Sequence, residues 1–417
     1  MRSLRIAAAA VVLVAAPVSA QLPHASASAL GLGFNTTASA RGFAAIAANP
    51  AALAHPRGPA FSLNLPAVSA NLGLGPVTLS DLALFSDQVV PVATRNEWLG
   101  RVSTSGGQGG AATAAATPLA FTTGPIGVQV STVVGGTTTL SPGAVELMLF
   151  GNAGRTGSAE DFDLDGSVID AFALSTAAVG LGFEISKGLF VGATGTYTMG
   201  HGVVMARDAD SFFQSDPLEL QLDFPALLPR TDDFAVDHGT GYGLNLGLLY
   251  EEPGMAIGVM VENVMNTFEW RTDDMSYVPA TAIFNLDGGE TNFDEMPADQ
   301  APSVILEELA TLTLEPSVAV GVELRPSEVL SLSADVKKRS GGLALGPEFH
   351  AGVGAEVRVL PFLPLRAHAV KVTGGMQVGG GASLVLGPVN ISGAAAVRTD
   401  AQDNSVLGAF ALSFGSH

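Results

Sequence analysis

The sequence contains no cysteine and has few charged residues. The absence of cysteine excludes disulfide bonds, thiolate metal sites and a cysteine nucleophile. Only 14% of the 417 residues are charged, against about 25% in an ordinary soluble domain. Basic residues are the scarcer kind, with 19 Lys and Arg against 39 Asp and Glu and a formal net charge of −20. Because phosphate binding needs a basic face, we expect no nucleic-acid partner.

Long apolar runs are also missing after the first 20 residues. Residues 1–20 have the pattern of a cleaved signal peptide: Arg2 and Arg5, then an apolar stretch, then Val18-Ser19-Ala20. The apolar stretch is shorter than the ~18–20 residues of a membrane anchor. Removal of the two arginines changes the formal charge from −20 to −22. We therefore expect an exported chain without a transmembrane helix.

Apolar residues, glycine and proline are abundant. Hydrophobic residues make up 47% of the chain, mean hydropathy is +0.37, and there are 50 glycines and 24 prolines. An exported chain this apolar, without long helices, must cover its apolar surface in another way. A closed β-barrel in an outer membrane does so, because lipid covers its apolar face.

Alternation of apolar and polar residues predicts strands. Val318 and Val320 share one face of a strand, and Ala319 and Glu323 share the other. The same period of two recurs in residues 330–337, 349–359 and 406–414. Soluble β-sandwiches alternate as well, so this pattern alone does not place the chain in a membrane.

Connection lengths favour the membrane barrel over the sandwich. Short turns at 186–188, 251–254, 325–327, 361–364 and 387–388 alternate with longer connections, as tight periplasmic turns alternate with longer outer loops in bacterial barrels. With one strand in 59–75 and a hairpin in 117–134, the count is about 14 strands. Residues 71–116 hold either two further strands or a helix-bearing loop, and their spacing favours the loop.

The acidic residues concentrate in the predicted outer loops, at about 135–171, 202–238 and 266–314. A solvated, soluble surface explains them, and bridging by divalent cations to lipopolysaccharide is the alternative. Within the first loop, Asp161, Asp163 and Asp165 have the spacing that begins a calcium-binding loop. Phe172 stands where the closing carboxylate belongs. The segment therefore predicts either a weak calcium site or a solvated acidic loop.

Several stretches resemble a known family. Asn49-Pro50-Ala51, ahead of a barrel of about 14 strands, is similar to the Asn-Pro-Ala turn of the FadL-type outer-membrane proteins. The segments VELMLFGN (145–152), SVAVGVELRP (317–326) and GVGAEVRVLPFLPLRAHAV (352–370) resemble the PorV/PorQ-type branch. The resemblance implies an all-β transmembrane antiparallel barrel (59–417) with an N-terminal plug containing short helix (21–58). The alternative is that 41–54 is a helix under the barrel mouth.

Charged residues on the predicted lumen face form a candidate site. Both signs occur on neighbouring strands, which predicts cross-strand ion pairs that hold the plug; an anionic head-group site is the alternative. The candidate residues are Glu323, Arg325, Asp335, Lys337, Glu356, Arg358, Arg366 and His368.

The sequence does not predict an enzyme. It has no G-x-S-x-G elbow, no H-E-x-x-H motif and no P-loop. The resemblance implies passive transport of hydrophobic small molecules across the outer membrane. The alternative is a PorV-like barrel acting as a scaffold or shuttle for secreted proteins. Expected partners are outer-membrane lipid and lipopolysaccharide with a hydrophobic ligand or secreted protein, and no cofactor is expected beyond the weak calcium site.

The signal-peptide pattern makes a direct prediction. N-terminal sequencing of protein from an exporting host should begin at Gln21, and the protein should fractionate with outer membranes. Recovery of the mature chain as a soluble periplasmic protein would contradict the barrel.

Overall fold

The computed structural model describes residues 25–230, 237–343, 345–400 and 404–415. The predicted signal peptide and its cleavage before Gln21 lie outside these residues. Among the helices described, none is long and apolar enough to cross a membrane.

Fourteen antiparallel strands form a closed barrel, which confirms the predicted fold class and strand count. Each strand pairs with its neighbours in sequence, and the first pairs with the last from Ser62↔Gly415 to Leu74↔Asn404. The barrel strands are β1 (Phe61–Gly75), β2 (Gln108–Thr123), β3 (Ile126–Leu140), β4 (Val168–Ser186), β5 (Leu189–Arg207), β6 (Gly239–Glu252), β7 (Met255–Asn266), β8 (Ser317–Ser327), β9 (Leu330–Arg339), β10 (Phe349–Val357), β11 (Leu365–Val372), β12 (Gly375–Leu386), β13 (Val389–Asp400) and β14 (Asn404–Gly415).

Outward and inward faces follow the predicted alternation. On β8, Val320 is 45% exposed on the outer face, and its neighbour Ala319 is 7% exposed toward the lumen. On β10, Phe349 and Val353 point outward, while His350 is buried inside. The outer surface is therefore the apolar one, as contact with lipid requires.

The segment before β1 folds inside the barrel. It contains α1 (Ala27–Gly31), a 3₁₀ turn (Gly42–Ala44), α2 (Ala45–Ala48) and a second 3₁₀ turn (Pro50–Ala54). Ile46, Ala47 and Ala51 have no exposed surface. We call residues 25–58 the plug segment. This position contradicts the alternative of a helix lying under the barrel mouth, because side chains there would keep exposed surface.

The connection from β1 to β2 carries α3 (Leu79–Ala83) and α4 (Val92–Ser105). Thr78 and Asp81 cap α3 with a reciprocal pair of side-chain-to-backbone bonds. Gly106 ends α4 in a left-handed conformation. The predicted helix-bearing loop at 71–116 is confirmed for residues 76–107, whereas β1 and β2 take up its two ends.

Several boundaries differ from those expected. Strands β3 and β4 continue into the predicted 135–171 loop, and Gly135–Thr139 pairs with Val168–Phe172. This stretch lacks a simple apolar-polar alternation, because a strand beyond the lipid has no face to cover. The turn after β8 lies at Glu328-Val329 instead of 325–327.

The long connections form a layer at one end of the barrel, called here the long-loop end; the other end is the short-turn end. Helices α5 (Pro142–Phe150) and α6 (Ser303–Thr311) lie in these connections. A five-stranded sheet is formed by Phe162–Asp163, Phe212–Ser215, Leu218–Asp223, Thr281–Asn285 and Gly288–Asn292. Further short strands continue the barrel sheet at Ala226–Pro229, Glu269–Trp270, Met275–Val278 and Met296–Pro297.

The outer face predicts a depth-dependent cost of charge. Val320→Arg, in mid-strand, should lower the free energy of unfolding in a bilayer by about 2–4 kcal/mol, whereas an arginine near the interface costs about 0–1 kcal/mol. Val329→Arg is the matched control, because Val329 is 46% exposed and lies in the turn between β8 and β9. Equal losses in a reversible unfolding titration would show that this face does not cross hydrocarbon.

Candidate functional site

The plug segment packs against a part of the barrel wall where the inward-facing residues are glycines. Five lumen-facing glycines lie on five successive strands: Gly182, Gly192, Gly247, Gly258 and Gly321. A Cβ atom added at any of them would lie within 3.0 Å of an atom of the plug segment. We call these residues the glycine belt. Because glycine has no side chain, the backbone of the plug approaches the backbone of the wall directly.

Asn49 joins the plug segment to the belt. Its amide nitrogen donates to the carbonyl oxygens of Thr37 and Leu248, at 3.0 Å each. Its side-chain oxygen accepts from the backbone N–H of Ala51 at 3.1 Å and so caps the 3₁₀ turn, in which Pro50 takes the first position. The Asn-Pro-Ala motif thus caps the 3₁₀ turn and also bonds the plug segment to the barrel wall.

Two inward charges on β9 hold the middle of the plug segment. Asp335 accepts from the backbone N–H of Thr37 at 3.0 Å and from its hydroxyl at 2.6 Å. The ammonium group of Lys337 donates to the carbonyl of Phe34 at 2.7 Å and lies 3.7 Å from Asp335. The two side chains of this predicted ion pair therefore contact each other, and each also bonds to the backbone of the plug segment.

A larger group of charges lies at the short-turn end. Arg325 pairs with Glu323 and, at 2.7 Å, with Glu251, and Arg41 of the plug segment reaches Glu323 at 3.4 Å. Arg57 also contacts Glu251. These contacts close the lumen between plug and wall.

A second group centres on Glu356. It accepts from Arg358 at 2.5 Å and from Arg366 at 2.6 Å. Beside it, Nδ1 of His368 lies 3.2 Å from the carbonyl oxygen of Gly31.

All eight sequence-predicted lumen residues thus contact the plug segment or a partner that belongs to the same two charge groups. The sequence did not indicate the other participants, Arg41, Arg57 and Glu251, because pairing across the barrel is not visible in local alternation.

Burial changes the acid–base behaviour of the plug residues near these charges. It lowers the pKa of Arg41 to about 10; Glu323 opposes this shift, and the like charges of Arg57 and Arg325 add to it. Burial, followed by the charges of Arg41, Arg57 and Arg325, lowers the pKa of His55 to about 3. Nε2 of His55 contacts the carboxylate of Glu251, and Arg41 remains charged at pH 7.

The predicted calcium ligands are used differently. Asp161 accepts from the backbone N–H and the hydroxyl of Ser215 at 2.7 Å each, and Asp163 accepts from the backbone N–H of Asp165 at 3.0 Å. Within the described ranges, no group of three or more His, Asp or Glu side chains is placed to hold a metal ion. Calcium binding by this segment stays a prediction.

The other end of the lumen is apolar. We call one buried set the cap cluster; it includes Leu174 of β4, Met205 of β5, Ile305 of α6 and, between strands, Phe268 and Trp270. Ala115 of β2 contacts both this cluster and a second buried set, formed by Ala25, Ala27, Ala67 and Ala411.

Arg207 ties α6 to the wall. Its guanidinium group bonds Glu308 at 2.5 Å and Asp170 at 2.8 Å. The lumen wall also carries buried polar residues such as Gln129, Thr196 and Asn245.

The wall itself is interrupted near Ala115. Between β1 and β2, the register goes from Asn64↔Ala120 to Ala67↔Thr117, so the intervening residues, which include Pro66 and Pro118, are unpaired. Register also shifts at this level between β1 and β14 and between β2 and β3. Proline has no N–H to donate to a ladder, which accounts for the break.

An apolar groove lies against the same strands. It measures about 690 Å³, and small residues of β1, β2, β13 and β14 line it, with Val68, Val134 and Phe410 at its sides. Three neighbouring ladders are therefore broken beside a wall of alanine and glycine.

Comparison with solved structures matches this architecture over nearly the whole chain. The toluene transporter TbuX of Ralstonia pickettii superposes with a TM-score of 0.56 at 16% identity, covering 95% of this chain and 99% of that one. A Pseudomonas aeruginosa FadL homologue gives 0.52 at 11% identity, covering 97% and 100%. The toluene transporter TodX of P. putida gives 0.51 at 13% identity, covering 95% and 99%.

The chain has the fold of the FadL-type channels. No protein-family model matches it, and no curated protein matches it. The resemblance to FadL-type proteins is confirmed at the level of fold, and the comparisons do not support the PorV/PorQ branch.

The glycine belt predicts a site-specific penalty. Gly192→Val should cost about 1–3 kcal/mol, because the new side chain overlaps Pro50 in a packed interface. The measurements are thermal unfolding in detergent and the rate at which trypsin cleaves after Arg41.

Gly195→Val is the matched control on the same strand, because a Cβ there meets nothing within 4 Å. The control should unfold and be cleaved like the parent. Equal destabilisation by both variants would mean that strand propensity, and not plug packing, selects glycine at position 192.

Proposed function

We propose that this protein is an outer-membrane channel that passes hydrophobic small molecules. The observation that carries the proposal is the position of Ala115, which touches the apolar cap cluster and lies beside the interrupted wall. The fold shared with hydrocarbon channels supports the same class of function. In this proposal the protein transports its solute passively and without catalysis, in a membrane of lipid and lipopolysaccharide.

The entry in this proposal is the cap cluster. An apolar solute that leaves water gains about 25 cal/mol for each Å² of apolar surface it buries, and the cap cluster offers such a surface above the lumen. The ion pair between Arg207 and Glu308 of α6 holds the cap cluster closed. Passage requires this layer to part.

The exit in this proposal leads through the wall and not through the plug segment. A route past the plug would separate Glu323 and Glu356 from their arginines, and exposing one partner of a buried ion pair costs about 3–5 kcal/mol. It would also bring an apolar solute into polar surroundings. The interrupted ladders beside the groove present small apolar residues and fewer hydrogen bonds to open.

Among the described residues, the five-stranded outer sheet is the structural basis for the alternative of a surface scaffold for secreted proteins. The comparisons give it no support. The channel is therefore the function that we put forward.

Uptake in cells tests the proposal. In a Gram-negative host without a FadL-type channel, expression should raise the uptake rate of radiolabelled toluene or oleate. Ala115→Trp should reduce that rate severalfold, because a bulky ring blocks the contact between cap and wall.

Gly195→Trp is the control, since position 195 faces outward on a distant strand with open space around it. It should leave uptake unchanged at equal expression. Uptake no faster than in cells with an empty vector, for both solutes, would overturn the proposed function.

A further inference from the structure

The short-turn end concentrates positive charge in an acidic protein. Two adjoining cavities lie there between plug and wall, of about 430 and 210 Å³, and they share Arg41, Arg358 and Glu356. Five of the chain's 19 basic residues line them: Arg41, Arg57, Arg325, Arg358 and Arg366. With Glu323, Glu328 and Glu356 in the same lining, the formal charge of the two cavities is +2, in a chain whose formal charge is −20.

Carboxylates do not balance these arginines. The larger cavity is lined by four arginines and three glutamates, and the smaller one by three arginines and one glutamate. Each of the paired carboxylates is shared: Glu323 by Arg41 and Arg325, Glu356 by Arg358 and Arg366, and Glu251, just outside the lining, by Arg57 and Arg325. Sharing leaves guanidinium N–H groups over, among them the Nη groups of Arg358, for which the described residues show no acceptor.

The crowding of like charges is evident at Arg41. Burial lowers its pKa most, Glu323 opposes that shift, and the like charges of Arg57 and Arg325 add to it. An anion in the cavity would relieve this repulsion. The hydroxyl group of Ser327 lines the same space and is a further donor, whereas those of Ser39 and Ser331 donate to Asn35 and Glu323.

We propose that this arginine-lined mouth binds a small molecule through an oxyanion, either a carboxylate or a phosphate group. The planar guanidinium fork matches both groups in two-point hydrogen bonding. A volume of about 430 Å³ is in the usual range for small-molecule sites, so the ligand is larger than one anionic group. Leu32, Val329 and Leu330 supply apolar contacts for its remainder.

Isothermal titration of the purified full chain in detergent, at low ionic strength, tests this site. The probes are inorganic phosphate and sodium hexanoate, with sodium chloride as the reference anion. At least one probe should bind with one-to-one stoichiometry. The double variant Arg57→Gln/Arg358→Gln should weaken that binding about tenfold, because two charge-assisted contacts are lost.

A double variant at the long-loop end is the control. Arg155→Gln/Arg271→Gln removes the same charge from arginines of similar exposure, each paired with acidic residues, and it should bind like the parent. If the first double variant does not fold, Arg358→Gln alone replaces it, since this side chain is 59% exposed. Binding of phosphate alone assigns a phosphate ligand, and binding of hexanoate alone assigns a carboxylate.

No binding of either probe, or equal weakening by both double variants, would overturn the site. Titration of purified protein involves no transport, so its result is independent of the uptake assay. A protein that binds the anion but fails to raise toluene or oleate uptake would retain the site and lose the proposed function.

Discussion

Every peptide group that lies in hydrocarbon must find its hydrogen-bond partner within the protein. This requirement makes β1 pair with β14 and closes the sheet. It also creates a further demand, because a ring of 14 strands is wider than the eight-stranded barrels that side chains alone can fill. The lumen must be filled by more chain. The plug segment is thus a consequence of closure, since it covers an interior that the strands cannot cover themselves.

A plug segment fits inside the barrel only if both the plug and the barrel wall carry small residues where they touch. The plug segment contributes alanines, and the wall contributes the glycine belt, so the two backbones lie in direct contact at Gly182, Gly192 and Gly258. Backbone polar groups then need partners inside the lumen. Asn49, Asp335 and Lys337 provide them, each bonding to a carbonyl or N–H group across the contact. The primary role of these inward polar residues is therefore structural, because they bond to the backbone of the plug segment. They also explain why a strongly apolar chain has a polar interior.

The sequence predicted the properties that depend on local order. Alternation around Val320 identified strands and faces, and connection lengths supported the count of 14. It predicted the Asn49 turn and the inward direction of Asp335 and Glu356. It did not predict their partners, because Thr37 and Asp335 lie 298 residues apart and meet only after closure. The ends of β3 and β4 were missed for another reason: beyond the lipid, paired strands no longer need alternation.

The interrupted part of the wall, near Pro66 and Pro118, has fewer hydrogen bonds between strands than a regular ladder. Pro66 and Pro118 face one another across β1 and β2, and each removes a donor from a ladder. Nearby residues are alanine and glycine, which give little packing to offset the loss. The gap is short, since two residues of each strand are unpaired, and the pairs on both sides of it hold the ring. The strongest contacts, the ion pairs at the short-turn end, and the weakest ladders are therefore in different parts of the lumen. In the proposed channel, this separation lets the wall yield to an apolar solute while the plug segment stays in place.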